Sequence, residues 1–364
     1  MNFADFFSDI KCDLWHRLEH AEKPIVLYGM GDGADKIINV LHEKNIEISG
    51  VFASDGFVRD KNFHSFKVQK YSDLKEKFPN MIILMSFGTN LDEVIENVKF
   101  LMSEQEFYLP DVPVFGDTLF DYNYFLSNIS KFEKVYEKLS DEKSKEVYVS
   151  SIKYKLSGKV EYLFSCQTDI KESFDNIFKI DFPCRYVDIG AYNGDTINQF
   201  LYFTNNRITK ITAFEPDIKN FAKLLKNTEK IQNCSIDCYN AAAYDKDGTL
   251  FFNSRSGRNS SIESNALHNK SVETKAVRAD NILKNEKVGI IKIDAEGSDK
   301  KALLGLENTI KRCAPCICVA AYHRSEDYFD IPFTVLDLHS EYNVYFRHFK
   351  YIPSWDTNFY FVKK

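Results

Sequence analysis

The segment RYVDIGAYNGDT, residues 185–196, constrains this chain more than any other stretch. Tyr186, Val187 and Ile189 read as a short buried strand around Asp188, and Thr196 opens an apolar helical run through Ile197, Phe200 and Leu201. Between them stand Gly190 and Gly194, where the backbone can approach a ligand that a Cβ would exclude. A strand ending in an acid, a glycine turn and a helix N-terminus make a nucleotide-cofactor cradle. One such loop fits any nucleotide, so the elements after it carry the distinction.

A second strand, Ile211 to Phe214, ends in Glu215-Pro216-Asp217, and Glu215 follows Asp188 by 27 residues. A carboxylate at that tip can accept from both ribose hydroxyls. Pro216 stops the strand ahead of a helix over 218–226; the plainer alternative leaves Asp217 as a helix cap and Glu215 merely exposed. A third strand, Ser235 to Tyr239, leads to Ala241, Ala242 and Ala243, whose small side chains leave room for a flat ring such as adenine. Gly248 to Asn253 reads as a hairpin partner. The polar run at 256–264 reads as a loop that covers a cofactor, meets substrate, or is ordinary surface.

Val288 to Ile293 is an apolar strand interrupted by Lys292, and it ends in Asp294-Ala295-Glu296-Gly297 before a helix over 298–312. Alternation along an extended chain would turn Asp294 and Glu296 to one side, at the strand end where open α/β sheets place their chemistry. There they could orient an acceptor, share a divalent ion or act as base; capping of the next helix is the structural alternative. A fifth strand, Cys316 to Tyr322, ends at His323, which could take a proton near neutral pH. Cys313, Cys316 and Cys318 suggest a metal site only superficially, because two of them lie inside an apolar strand and no second ligand cluster follows at zinc spacing. The runs 342–348 and 357–362 form a closing antiparallel hairpin around Pro353-Ser354. Five parallel strands, this hairpin and an acid at the tip of strand two fit a class I methyltransferase architecture better than a nicotinamide dehydrogenase.

The first half is a separate α/β unit, since 364 residues exceed one ordinary core. Residues 1–23 form a packing helix, with Phe3, Phe6, Phe7, Ile10, Leu14 and Leu18 at helical spacing. Residues 24–120 alternate strands (25–28, 46–52, 81–85) with helices (35–44, 74–78, 91–102) and imply a parallel Rossmann-like sheet. Gly29, Gly31 and Gly33 precede Ala34 in a dinucleotide-type turn, and Asp55 lies near the place of a ribose-binding acid. The same glycines would equally serve a tight strand-to-helix turn. Residues 121–180 read as a helical connector, and 181–364 as the second domain. A net charge of −6 argues against broad nucleic-acid binding. No secretory leader and no long apolar span is visible, which points to a cytoplasmic protein without membrane insertion.

The motifs VDIGAYNGDT (187–196), AFEPD (213–217), NAAAYDKDG (240–248), IKIDAEGSDKKALLG (291–305), AYHRSEDYFDIP (321–332) and RHF with WDTNFYF (347–349, 355–361) occur in the order of the FkbM-type methyltransferases. Residues about 184–362 thus resemble that S-adenosylmethionine (SAM)-dependent family. The resemblance implies SAM as donor, with Asp188, Gly190 and Gly194 at its amino-acid end and Glu215 on its ribose. Ala191, Tyr192, Asn193, Thr196, Pro216, Ala242 and Asp294 complete the expected donor site. Asp294, Glu296 and His323 are expected on the acceptor side, with His323 as the base. Members commonly methylate hydroxyls of sugars or small secondary metabolites, so O-methylation of a saccharide or glycan-linked acceptor is the leading expectation. N-methylation of a glycan-attached amino acid is a variant. An NAD-dependent oxidoreductase or epimerase acting through Gly29 and Gly31 is the competing class. No resident metal is expected, and a divalent ion shared by the carboxylates stays open.

Overall fold

A computed structural model describes residues 2–54, 62–181, 183–253, 261–263 and 271–364. The expected N-terminal helix is two short elements: a 3-10 turn, Phe3–Phe7, and α1, Leu14–Glu19. Asp13 separates them. Its carboxylate caps α1 by accepting from His16 N at 2.8 Å and also accepts from Tyr122 N at 2.8 Å. Phe3, Phe7, Ile10, Leu14 and Leu18 are still buried, so the spacing recorded burial and not helical continuity.

The first domain is built on β1 (Ile25–Tyr28), α2 (Asp32–Glu43), β2 (Gly50–Phe52), β3 (Asn62–Phe63), β4 (Phe66–Gln69), α3 (Tyr71–Lys77), β5 (Ile82–Met85), α4 (Asp92–Glu104) and β6 (Glu106–Tyr108). The sheet order is β3-β4-β2-β1-β5-β6, with β1 parallel to β2 and β5. Strand β2 is shorter than the expected 46–52, because Ile46 to Ser49 lie outside the ladder. Every residue of β1 and β5 is buried, as suits central strands covered on both faces.

Helices α5 (Tyr122–Lys138), α6 (Glu142–Ser157), α7 (Glu161–Cys166) and α8 (Ile170–Glu172) follow, and the chain then makes a π turn, Ser173–Ile177. Helices α5 and α6 pack into the second domain: Phe125, Phe132, Val147 and Ile152 share one core with Ile291 and Ile317. A buried ion pair, Lys155 to Asp111 at 2.9 Å, ties α6 to the segment after β6.

The second domain runs through β7 (Cys184–Ile189), α9 (Asp195–Phe203), β8 (Ile208–Phe214), α10 (Ile218–Thr228), β9 (Ser235–Tyr239), β10 (Ala242–Ala243), β11 (Gly248–Asn253), β12 (Ser261–Glu263) and β13 (Ser271–Val277). It continues with α11 (Ala279–Leu283), β14 (Ile290–Ile293), α12 (Asp299–Gly305), α13 (Glu307–Cys313), β15 (Cys316–Ala320), α14 (Asp327–Leu338), β16 (Tyr342–His348) and β17 (Thr357–Lys363). The main sheet has the order β16-β17-β15-β14-β7-β8-β9, and β17 runs antiparallel to both its neighbours, β15 and β16, while the other pairs are parallel. Strands β10 to β13 form a second, four-stranded sheet. Part of the expected polar loop at 256–264 is therefore strand β12, and the rest of it lies outside the described residues. The expected helix over 298–312 is broken at Leu306 into α12 and α13. No helix among the described residues is long and apolar enough to cross a membrane.

Candidate active site

The C-terminal ends of β7, β8, β14 and β15 converge. Gly190 has φ +76° and its missing Cβ would stand 1.8 Å from Asp294 O, so the neighbouring strand tip by itself requires glycine here. Gly194 has φ +85° and stands as N-cap of α9. Glu215 stitches the first two tips together: its Oε2 accepts from Tyr192 N and its Oε1 from Asp217 N, each at 2.8 Å. Burial pushes its carboxyl up to about 7 against these two N–H groups.

Asp294 and Glu296 do converge, but not by strand alternation. Strand β14 stops at Ile293, and Glu296 sits in a left-handed turn with φ +48°. Asp299, at the start of α12, holds that turn by accepting from Ala295 N at 2.8 Å and Gly297 N at 3.2 Å. Its Oδ2 also lies 2.8 Å from His323 Nδ1. On the other side of the ring, His323 Nε2 lies 3.2 Å from Asp294 Oδ1 and 3.7 Å from Glu296 Oε2. His323 is fully buried. Burial disfavours its charge, yet Asp299 and Asp294 outweigh that and hold its pKa well above the ordinary value.

Lys292 was read only as an interruption of an apolar strand, and it is part of the site. It stands beside Asp188 on β7 and Cys318 on β15, and its Nζ lies 3.1 Å from Asp294 Oδ2. Burial opposes the ammonium, but Asp294 and Asp188 hold it protonated. Asp294 is desolvated too, but Lys292 and His323 keep it ionised, and it accepts from Tyr322 Oη at 3.0 Å. Glu296 behaves oppositely: burial pushes it up to about 8, with His323 opposing and Asp294 and Asp299 adding to the rise. The site therefore sets an ionised Asp294 beside a proton-holding Glu296.

A cavity of about 430 Å³ opens between these tips. Gly190, Tyr192, Thr196, Glu215, Pro216 and Ala242 line it on the expected donor side, and Asp294 and Glu296 on the other. Ala191, Asn193 and Gly194 shape the loop without reaching the cavity wall. Asp188 is fully buried behind it, with neither carboxylate oxygen hydrogen-bonded, and burial raises its pKa to about 6 against the charge of Lys292. His323 does not line the cavity either. Asp294, Asp299 and His323 are spaced closely enough for a metal ion, but their mutual pairing and Lys292 already account for their charges.

The cavity fits SAM by charge. Among the described residues lining it are five carboxylates (Asp195, Glu215, Asp294, Glu296, Asp356) and one cationic side chain, Lys292. A sulfonium with an amino-acid tail is a net cation and suits such a lining. Small Ala241 to Ala243 beside Glu215 leave the flat slot expected for a base.

Protein fills the glycine turn of the first domain at Gly29 and Gly33, while a Cβ on Gly31 would meet nothing within 4 Å. A Cβ on Gly29 would meet the Phe87 ring at 2.5 Å, and one on Gly33 would meet Ser86 O at 2.1 Å. These glycines thus allow α2 to pack on the segment after β5. Asp32 and Asp35 in the first turn of α2 oppose a phosphate there. Asp55 lies outside the described residues.

The strand order and the crevice define a class I methyltransferase fold. Residues 188–353 match the family model described as the methyltransferase FkbM domain. The chain is similar over 99% of its length, and 97% of the other's, to the methyltransferase FkbM from Methylobacillus flagellatus, at 18% identity and a TM-score of 0.73. It shares less with a SAM-bound fibrillarin from Aeropyrum pernix (14% identity, 51% and 69% of the two chains, TM-score 0.32). A SAM-dependent methyltransferase from Aquifex aeolicus is similarly distant (9% identity, 56% and 97%, TM-score 0.30). No curated protein sequence matches significantly. The family-model match makes the chain a methyltransferase.

Proposed function

We propose that this enzyme methylates a hydroxyl of a saccharide or glycan-linked acceptor, with Glu296 as the base. The carrying observation is that Glu296 and Glu215 line one cavity from opposite sides, with the Asp294–His323–Asp299 cluster beneath Glu296. Glu215 would hold the ribose, the Gly190–Tyr192 turn the amino-acid end, and Ala242 the edge of the base. When bound, SAM supplies an electrophilic methyl group and leaves as the thioether. In the fraction of molecules where it is ionised, Glu296 takes up the proton of the acceptor hydroxyl; a carboxyl raised to about 8 is a stronger base than an ordinary glutamate. His323, already protonated and walled off from the cavity, positions Asp294 and Glu296 in place of the base role expected from its strand-tip location. Donor and acceptor held in one crevice gain most of their advantage from alignment.

The test is turnover with SAM on panels of saccharides, amines and phenols, read by mass spectrometry as the gain of one CH2. A methylated saccharide is expected, and Glu296→Gln should lower kcat by about 10²- to 10⁴-fold while keeping affinity for S-adenosylhomocysteine (SAH). Methylation confined to phenols would remove the acceptor class, and an active Glu296→Gln would remove the base.

A further inference from the structure

The cavity is not closed by the methyltransferase domain alone. The loop after β5 reaches it from the first domain, at the strand end where open α/β sheets present ligand contacts. Thr89 N donates to Ile352 O at 2.7 Å and Ile352 N to Thr89 O at 3.0 Å, so that loop is bonded to the β16–β17 connection. Gly88 seats two rings of that connection: a Cβ there would stand 2.7 Å from Trp355 Cζ3 and 2.8 Å from Tyr351 Cε1. The two rings stack at 5.8 Å and 29°. Both line the cavity, together with Asn90 and Val114 of the first domain.

We infer that the acceptor is a saccharide ring bearing no phosphate, held between the two domains with Trp355 as its stacking surface and Asn90 as the first domain's contribution to its recognition. This narrows the saccharide reading above and rests on it. An aromatic face meets the C–H face of a sugar ring, and the surrounding carboxylates and amides accept and donate to its hydroxyls. Asn90, Asn358, Asp356 and Glu296 supply those groups from the cavity wall. The same wall repels a diphosphate. Its lysine, Lys292, is engaged by Asp294 at 3.1 Å, leaving no unpaired cation among the described lining residues for a nucleotide sugar. The first domain thus acts as a wall of the acceptor site and not as a separate nucleotide-binding unit.

Tryptophan emission tests this directly. The chain has two tryptophans, and Trp15 is buried, so a change on titration reports Trp355. Protein saturated with SAH is titrated with neutral methyl hexosides, with glucosamine and with UDP-glucose. A saturable change with a neutral or amino sugar is expected, about tenfold weaker in Asn90→Ala, and in turnover the KM for the sugar should rise about tenfold in Trp355→Ala, with SAH affinity unchanged in both. A tighter response to UDP-glucose, or no response to any hexoside or glucosamine, overturns the inference. Product analysis separates the two levels. Methylated UDP-glucose keeps the saccharide reading and overturns this one; methylation of a phenol alone removes both; a methylated hexoside or glucosamine, impaired by Asn90→Ala in KM and not in SAH affinity, supports both.

Discussion

Lowering the pH should weaken the donor site through Glu215. Burial holds this carboxyl near 7, so at pH 7 about half of the molecules carry it protonated. Two oxygens already accept from Tyr192 N and Asp217 N, and only the ionised form keeps acceptor capacity for both hydroxyls of a ribose. Ligand binding therefore selects the carboxylate, and linkage fixes the sign. SAH binding should release about 0.5 proton at pH 7, approaching one near pH 6, with affinity falling roughly tenfold for each further unit of acidification. Calorimetry in buffers of different ionisation enthalpy measures both quantities. Glu215→Gln keeps the shape and removes the titration. It should bind SAH roughly 10- to 100-fold more weakly, the worth of a charge-assisted hydrogen bond, without that proton release. Equal proton release by the wild type and Glu215→Gln, or affinity flat across the neutral range, would refute the ribose assignment.

Two further perturbations probe the scaffold. His323→Gln removes the cation shared by Asp294, Asp299 and Glu296 and should cost about 3–5 kcal/mol of stability in denaturant titrations. Because the folded-state pKa of His323 is raised, its contribution is complete below the ordinary value near 6.5 and fades as pH rises through the folded value, so the gap to wild type should narrow in alkali. Gly190→Ala and Gly33→Ala both force a Cβ into a backbone oxygen and should both lower Tm, but only Gly190→Ala should abolish SAH binding. Loss of SAH binding in Gly33→Ala would return a ligand role to the first glycine turn.

The sheet was legible because its signals are local. The strand–glycine–helix unit at 185–196 and the acid after β8 each lie within a dozen residues, and the closing hairpin, Tyr342 to Lys363, joins two strands adjacent in the chain. What escaped depends on contacts across the fold. Asp299 reads as an ordinary first-turn acid of a helix, yet it organises the Asp294–Gly297 turn and receives His323 from another strand. His323 was placed at the right strand tip, but nothing local shows that Phe115, from the first domain, packs over it with ring centroids 5.6 Å apart. Asp188 sits in the right motif and is buried behind the wall, because its side chain faces Lys292 on the next strand. Gly190 reads as an opening for a ligand and Gly33 as either that or a tight strand-to-helix turn, and a Cβ at either position would meet a backbone oxygen distant in sequence. Lys292 was visible as an anomaly in an apolar strand, a charge whose burial demands a partner, and that signal could have found it.

The central claim is that SAM is held between Glu215 and the Asp294–Glu296 turn. A crystal structure of the protein with SAH tests it most directly. Both ribose hydroxyls are expected on the Glu215 carboxylate, with adenine beside Ala242 and the sulfur facing Glu296. SAH on the Gly29–Gly33 turn, or in the crevice with its ribose away from Glu215, would contradict it.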